Sequence, residues 1–103
     1  MQSNDMSSVH SLVTGTVSIT NTQAHSSWVP VAVLFTFDEP VTATLTVTRT
    51  TGDTSFQLAT VDLADNQSAA WIPEAPYIFN LNDVLTVTST AINGTVEIIR
   101  KAN

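Results

Sequence analysis

Val41-Thr42-Ala43-Thr44-Leu45-Thr46-Val47-Thr48-Arg49-Thr50 places threonine at every second position, with small apolar residues between. A period of two sends alternate side chains to opposite faces of a pleated strand. One face of this strand is therefore apolar and the other hydroxylated. The same alternation returns at Val13-Thr14-Gly15-Thr16-Val17-Ser18-Ile19-Thr20 and at Val84-Leu85-Thr86-Val87-Thr88-Ser89-Thr90. The chain reads as all-β.

Working outward, strands are expected near 11–20, 28–37, 41–50, 55–61, 68–72, 76–80, 84–90 and 94–101. Short strands at this spacing fit an antiparallel β-sandwich with Greek-key or jelly-roll-like connections, and a closed small barrel is the competitor. Asp38-Glu39-Pro40 and Thr51-Gly52-Asp53 read as turns, and Asn93-Gly94 as a hairpin signal. Asp62 to Gln67, the most polar internal stretch, reads as an exposed loop. The expected core is Val13, Val17, Ile19, Val31, Val33, Phe35, Leu45, Val47, Phe56, Leu58, Leu85, Val87, Val96 and Ile98.

At 103 residues there is room for one domain, expected over 11–103, preceded by a polar, flexible arm over 1–10. The arm has neither the basic region nor the apolar stretch of a secretory signal. With no cysteine there is no disulfide to reinforce a small core. That favours assembly inside a cell and makes self-association the expected source of further burial.

Nine acidic residues against three basic ones give a net charge of −6. Without a basic stripe, nucleic acid is not an expected partner. No apolar run approaches the roughly 20 residues of a membrane-crossing helix, so no membrane partner is expected either. Serine and threonine make up 27 of 103 residues, which the wet faces of alternating strands account for. An ice- or glycan-binding threonine array would need a flatter and more regular lattice than strands of such different length provide.

Trp28-Val29-Pro30-Val31-Ala32-Val33-Leu34-Phe35-Thr36-Phe37 breaks the alternation, because it is apolar on both faces. Either a loop covers the second face, or Trp28 and Leu34 lie at a subunit contact. Trp71 and Tyr77 flank Pro73 and Pro76 and could form an aromatic platform for a sugar, or Trp71 could seal one end of the core. His10 and His25 lack partners at ligand spacing, and Asp62, Asp65 and Asn66 lack the calcium-loop pattern, so no metal or other cofactor is expected. No serine stands in a nucleophile elbow, and Glu39, Glu74 and Glu97 lie in unrelated elements. The chain is not expected to be an enzyme.

Phe37-Asp38-Glu39-Pro40-Val41, the threonine strand after it, the Thr51-Gly52-Asp53 tip and the entry Asn82-Asp83-Val84-Leu85-Thr86-Val87-Thr88 resemble small β-structured virion proteins of tailed bacteriophages. Asn82 stands where that class often has glycine. The resemblance runs over roughly residues 28–99. It implies a structural virion protein, of capsid-decorating or head-associated type, assembled in the host cytoplasm. It further implies a homo-oligomer, with a trimer favoured, and a major capsid or other virion protein as partner. The alternative is a small carbohydrate- or receptor-binding module using Trp71 and Tyr77.

Overall fold

A computed structural model describes residues 5–22 and 26–102, with the backbone alone for Asp5. The six strands among the described residues are β1 (Asp5–Ser11), β2 (Thr16–Thr20), β3 (Trp28–Thr51), β4 (Thr54–Trp71), β5 (Val84–Ser89) and β6 (Gly94–Ala102). All pairings are antiparallel, as the alternation predicts.

The sheet runs β1-β6-β3-β5-β2, with β4 along the other side of β3. β3 meets β6 through Trp28–Phe37 and β5 through Leu45–Thr50, so it belongs to two halves of the sheet at once. Side chains of both halves, Val33, Phe35, Val96 and Ile98 from one and Val17, Leu45, Leu85 and Val87 from the other, meet in a single core cluster. The sheet is thus curled upon itself into a sandwich-like fold whose layers share β3 and β4.

The fold-over has a visible corner. Register shifts interrupt the β3–β4 ladder between Thr36 and Val41 and between Val41 and Ala43. Proline lacks a ladder donor, so Pro40 is tolerated at such an irregularity. Asp65 faces this break with φ 56. The Leu12–Gly15 connection and the link from β5 to β6 turn at the same end. There Leu12 N donates to Gly94 O at 2.8 Å, Ser89 N to Gly15 O at 2.7 Å, and Asp38 N to Asn93 O at 3.1 Å. Asp38-Glu39-Pro40 is therefore a corner inside one long strand and not a turn between two. The stretch Asp62 to Gln67, expected as a loop, is strand with a bulge. The segment 76–80, expected as a strand, contributes only the bridge from Phe79 to Trp28.

The hairpin tip holds where it was expected, with Gly52 at φ 60 between β3 and β4. Residues 5–10, expected to belong to a flexible arm over 1–10, are strand instead. Asp5–Ser11 pairs along β6 from Asp5↔Lys101 to Ser11↔Thr95, while residues 1–4 lie outside the described residues. A polar strand can occupy an edge because one side of its ladder, and one face, stay wet.

Most of the expected core is buried, and three departures have separate causes. A register shift between Pro30 and Ala32 makes Val31 an extra residue, pushed out to 40% exposure. Val13 lies in the turn at the corner, and Phe56 lies at the hairpin end, so neither is covered by the opposite layer. Their places are taken by Leu12, Trp28, Phe37, Leu63 and Phe79, all buried.

Candidate binding surfaces

Trp28 is the first correction to the expected contact residues. The bulge at Val31 shifts the side-chain phase by one, so Trp28 and Pro30 share the inner face with Val33, Phe35 and Phe37. Trp28 is 3% exposed and stacks on Phe79, with ring centroids 4.6 Å apart and planes 8° from parallel. It is core and cannot be a surface anchor of a subunit contact.

Leu34 remains on the outer face of the β1-β6-β3 layer. Register places Val9 opposite Glu97, Glu97 opposite Leu34, and Leu34 opposite Ala70, one row across four strands. Ile99, two residues beyond Glu97, lies on the same face of β6. Ile72, just past the end of β4, is 62% exposed and Val9 is 65% exposed. The one charge in the row, Glu97, accepts a hydrogen bond from Ser7 Oγ at 2.7 Å. This face mixes an apolar patch of Val9, Leu34, Ala70 and Ile99 with the hydroxylated row Ser11–Thr95–Thr36–Ser68.

The outer face of the other layer is more uniformly hydroxylated. The rows Thr16–Thr88–Thr46–Thr60 and Ser18–Thr86–Thr48–Gln57 cross β2, β5, β3 and β4, with Ser18 Oγ 3.0 Å from Thr86 Oγ1. Hydroxyls, not apolar groups, cover it.

Trp71 and Tyr77 do meet, with centroids 6.1 Å apart and planes inclined by 28°. Both are half-buried against the core cluster, Trp71 opposite Val33 on the inner side of the ladder. Phe79, which reasoning from the sequence missed, is fully buried. It sits in an irregular segment whose partner at Trp28 is remote in the chain, so no local periodicity marks it.

Four of the nine acidic residues flank the corner. Asp38 and Glu39 lie in the corner of β3, and Asp62 and Asp65 on the adjoining part of β4. All four are exposed. The basic residues lie away from the corner. Arg49 sits above Phe79 at 5.4 Å and Arg100 above Trp28 at 5.3 Å. Together they form a four-membered stack, Arg100–Trp28–Phe79–Arg49. Arg49 Nη2 donates to Asp83 Oδ2 at 3.3 Å, and that oxygen also accepts from Asn80 N at 2.8 Å. Buried Asn21 ties this end together, its Nδ2 donating to Ser26 O and Phe79 O. Among the described residues no group of three or more His, Asp or Glu is placed to hold a metal ion. His10 Nε2 lies 2.8 Å from Ser8 Oγ, and His25 falls outside the described residues.

Compared with solved structures, the chain is similar to the core of the Drosophila protein NLP, whose crystal structure is described as giving insight into pentamer formation and histone binding. The TM-score is 0.59 at 12% identity, over 96% of this chain and 97% of that one. Neither a protein-family model nor a curated protein matches the sequence. At this identity the likeness establishes a shared fold. It overturns the expectation of a phage virion component, decorating or head-associated, and with it the capsid protein as partner. The alternating threonine strands, the Pro40 corner and the Gly52 tip that suggested a virion protein serve here to build the curled sheet. That fold also forms the NLP core.

Proposed function

We propose that this chain is a non-enzymatic, self-associating β-domain that binds a basic protein of the histone type. The observation that carries the reading is the likeness, over nearly the whole of both chains, to the NLP core with its pentamer formation and histone binding. Two features of this chain support it. The exposed Asp38, Glu39, Asp62 and Asp65 gather at one end, where they would attract and orient a cationic partner. Val9, Leu34 and Ala70, in a row that also holds Glu97, offer a partly apolar patch for self-association on the outer face of the β1-β6-β3 layer. Five copies are the preferred number. The trimer rested only on the virion resemblance.

The test is sedimentation of the purified chain with and without core histones. An assembly larger than a monomer is expected, and so is histone co-sedimentation at low salt. Co-sedimentation should be lost in the variant carrying Asp38→Asn, Glu39→Gln, Asp62→Asn and Asp65→Asn. A chain that stays monomeric and ignores histones even at low salt sinks the proposal.

A further inference from the structure

The aromatic stack at the basic end is symmetric in its cations and asymmetric in its anions. Arg49 and Arg100 cap opposite faces of the Phe79–Trp28 pair at nearly equal height, 5.4 Å and 5.3 Å. Arg49 has the carboxylate of Asp83. The Nε of both arginines is buried without a hydrogen-bond partner, but among the described residues no carboxylate lies within ion-pairing distance of Arg100. Guanidinium groups are seldom left this way, since a desolvated charge is costly unless it is paired. Burial lowers the Arg100 pKa from its ordinary value, the sign expected for a cation lacking a counter-charge.

Beside Arg100 lies a cavity of about 320 Å³, lined by Thr20, Asn21, Ser26, Trp28 and Met6 among others. That volume falls at the lower end of small-ligand sites, roughly 300–1,000 Å³. Its walls combine the two chemistries an organic acid presents. Met6, Ala102 and the edge of Trp28 give it an apolar part, and Thr20, Thr22 and Ser26 give it polar residues beside Arg100. We propose that this cavity binds a small organic carboxylate, which gives Arg100 the partner that Asp83 gives Arg49. The guanidinium fork takes a carboxylate through two parallel N–H···O bonds, a geometry that a point cation cannot reproduce. Methylene groups lying against Met6, Ala102 and the edge of Trp28 add the apolar contact that separates an organic acid from an inorganic anion. The site lies away from the acidic corner and does not depend on the histone reading.

The experiment follows the Arg100 side-chain Nε–H resonance of the full-length chain by NMR while succinate, acetate, phosphate or chloride is added. The expected result is a saturable shift with succinate, weaker saturation with acetate, and only a shallow, non-saturating drift with phosphate or chloride. Trp28 fluorescence, read in a Trp71→Phe background, should titrate at the same succinate concentration. Arg100→Lys should weaken that response about tenfold, and Arg100→Gln should abolish it. Should Arg100→Gln fail to fold, Thr20→Val and Ser26→Ala, which leave the stack intact, should each weaken succinate binding several-fold. Equal responses to all four anions, or a succinate response indifferent to these substitutions, would overturn the proposal.

Discussion

At the residue scale, Asp83 joins two kinds of interaction in one carboxylate. It is 4% exposed, holds Arg49, and caps the Asn80 backbone N–H. Removing it leaves a guanidinium stacked on Phe79 with no counter-charge and a backbone donor with no acceptor. Asp83→Ala should lose about 2–3 kcal/mol in urea unfolding, less than for a fully buried pair because Arg49 keeps some contact with water. Asp83→Asn, which can still accept from Asn80, should lose distinctly less. Equal losses would show that the ion pair contributes nothing. The Trp28 and Leu34 positions separate in the same way. Trp28→Ser removes a stacked core ring and should cost about 3–5 kcal/mol whatever the protein concentration. Leu34→Ser should leave circular dichroism intact and shift only the sedimentation of the assembly. A Trp28→Ser protein as stable as wild type would contradict the core placement.

At the scale of elements, the identity of the strands was legible and their continuity was not. Threonine alternation marks Val41–Thr50 and Val84–Ser89 because each has one dry and one wet face, and burial in the structure follows it. Asp38-Glu39-Pro40 carries every local sign of a turn, yet it is a corner, because β4 and the β5–β6 link run beside it and carry the chain through. Trp28 was misplaced by one residue of phase, since the Val31 bulge is set by pairing with β6, which no local pattern reveals. Leu34 kept its predicted outward face because it lies beyond that bulge. The acidic end was not legible at all, as the β3 and β4 segments that carry Asp38 and Asp65 become neighbours only through strand pairing.

The same elements contrast two glycines. A Cβ at Gly94, where β6 starts, would meet the Phe37 ring and Thr36 O, both at 2.6 Å, whereas at Gly52 it would meet nothing within 4 Å. Gly94→Ala should therefore cost about 1–3 kcal/mol through overpacking at the corner. Gly52→Ala should cost about 1 kcal/mol from its positive φ alone, and Gly52→Asn less still. Thermal unfolding of the three variants checks the order, and a harmless Gly94→Ala would mean that the corner gives way easily.

At the scale of the whole molecule, charge should act with opposite signs on the two proposed associations. Each subunit carries −6, so copies repel one another at long range and an apolar contact has to overcome that repulsion. Added salt screens it, since the Debye length falls from about 30 Å at 0.01 M to about 8 Å at 0.15 M. Self-association should thus tighten as salt rises, while binding of a cationic protein to the acidic corner should weaken. Sedimentation across a salt series measures both. If the two move together, either the apolar face or the acidic end has been assigned the wrong role.

The corner also has a temporal consequence. Since β3 and β4 each run on through the corner into both layers, the two layers should open together. Phe35 and Val47 stand on opposite sides of the bend, yet their amides are released to solvent by the same event. Deuterium should enter both at one common rate, which makes the bent strand pair a single clock for the whole domain.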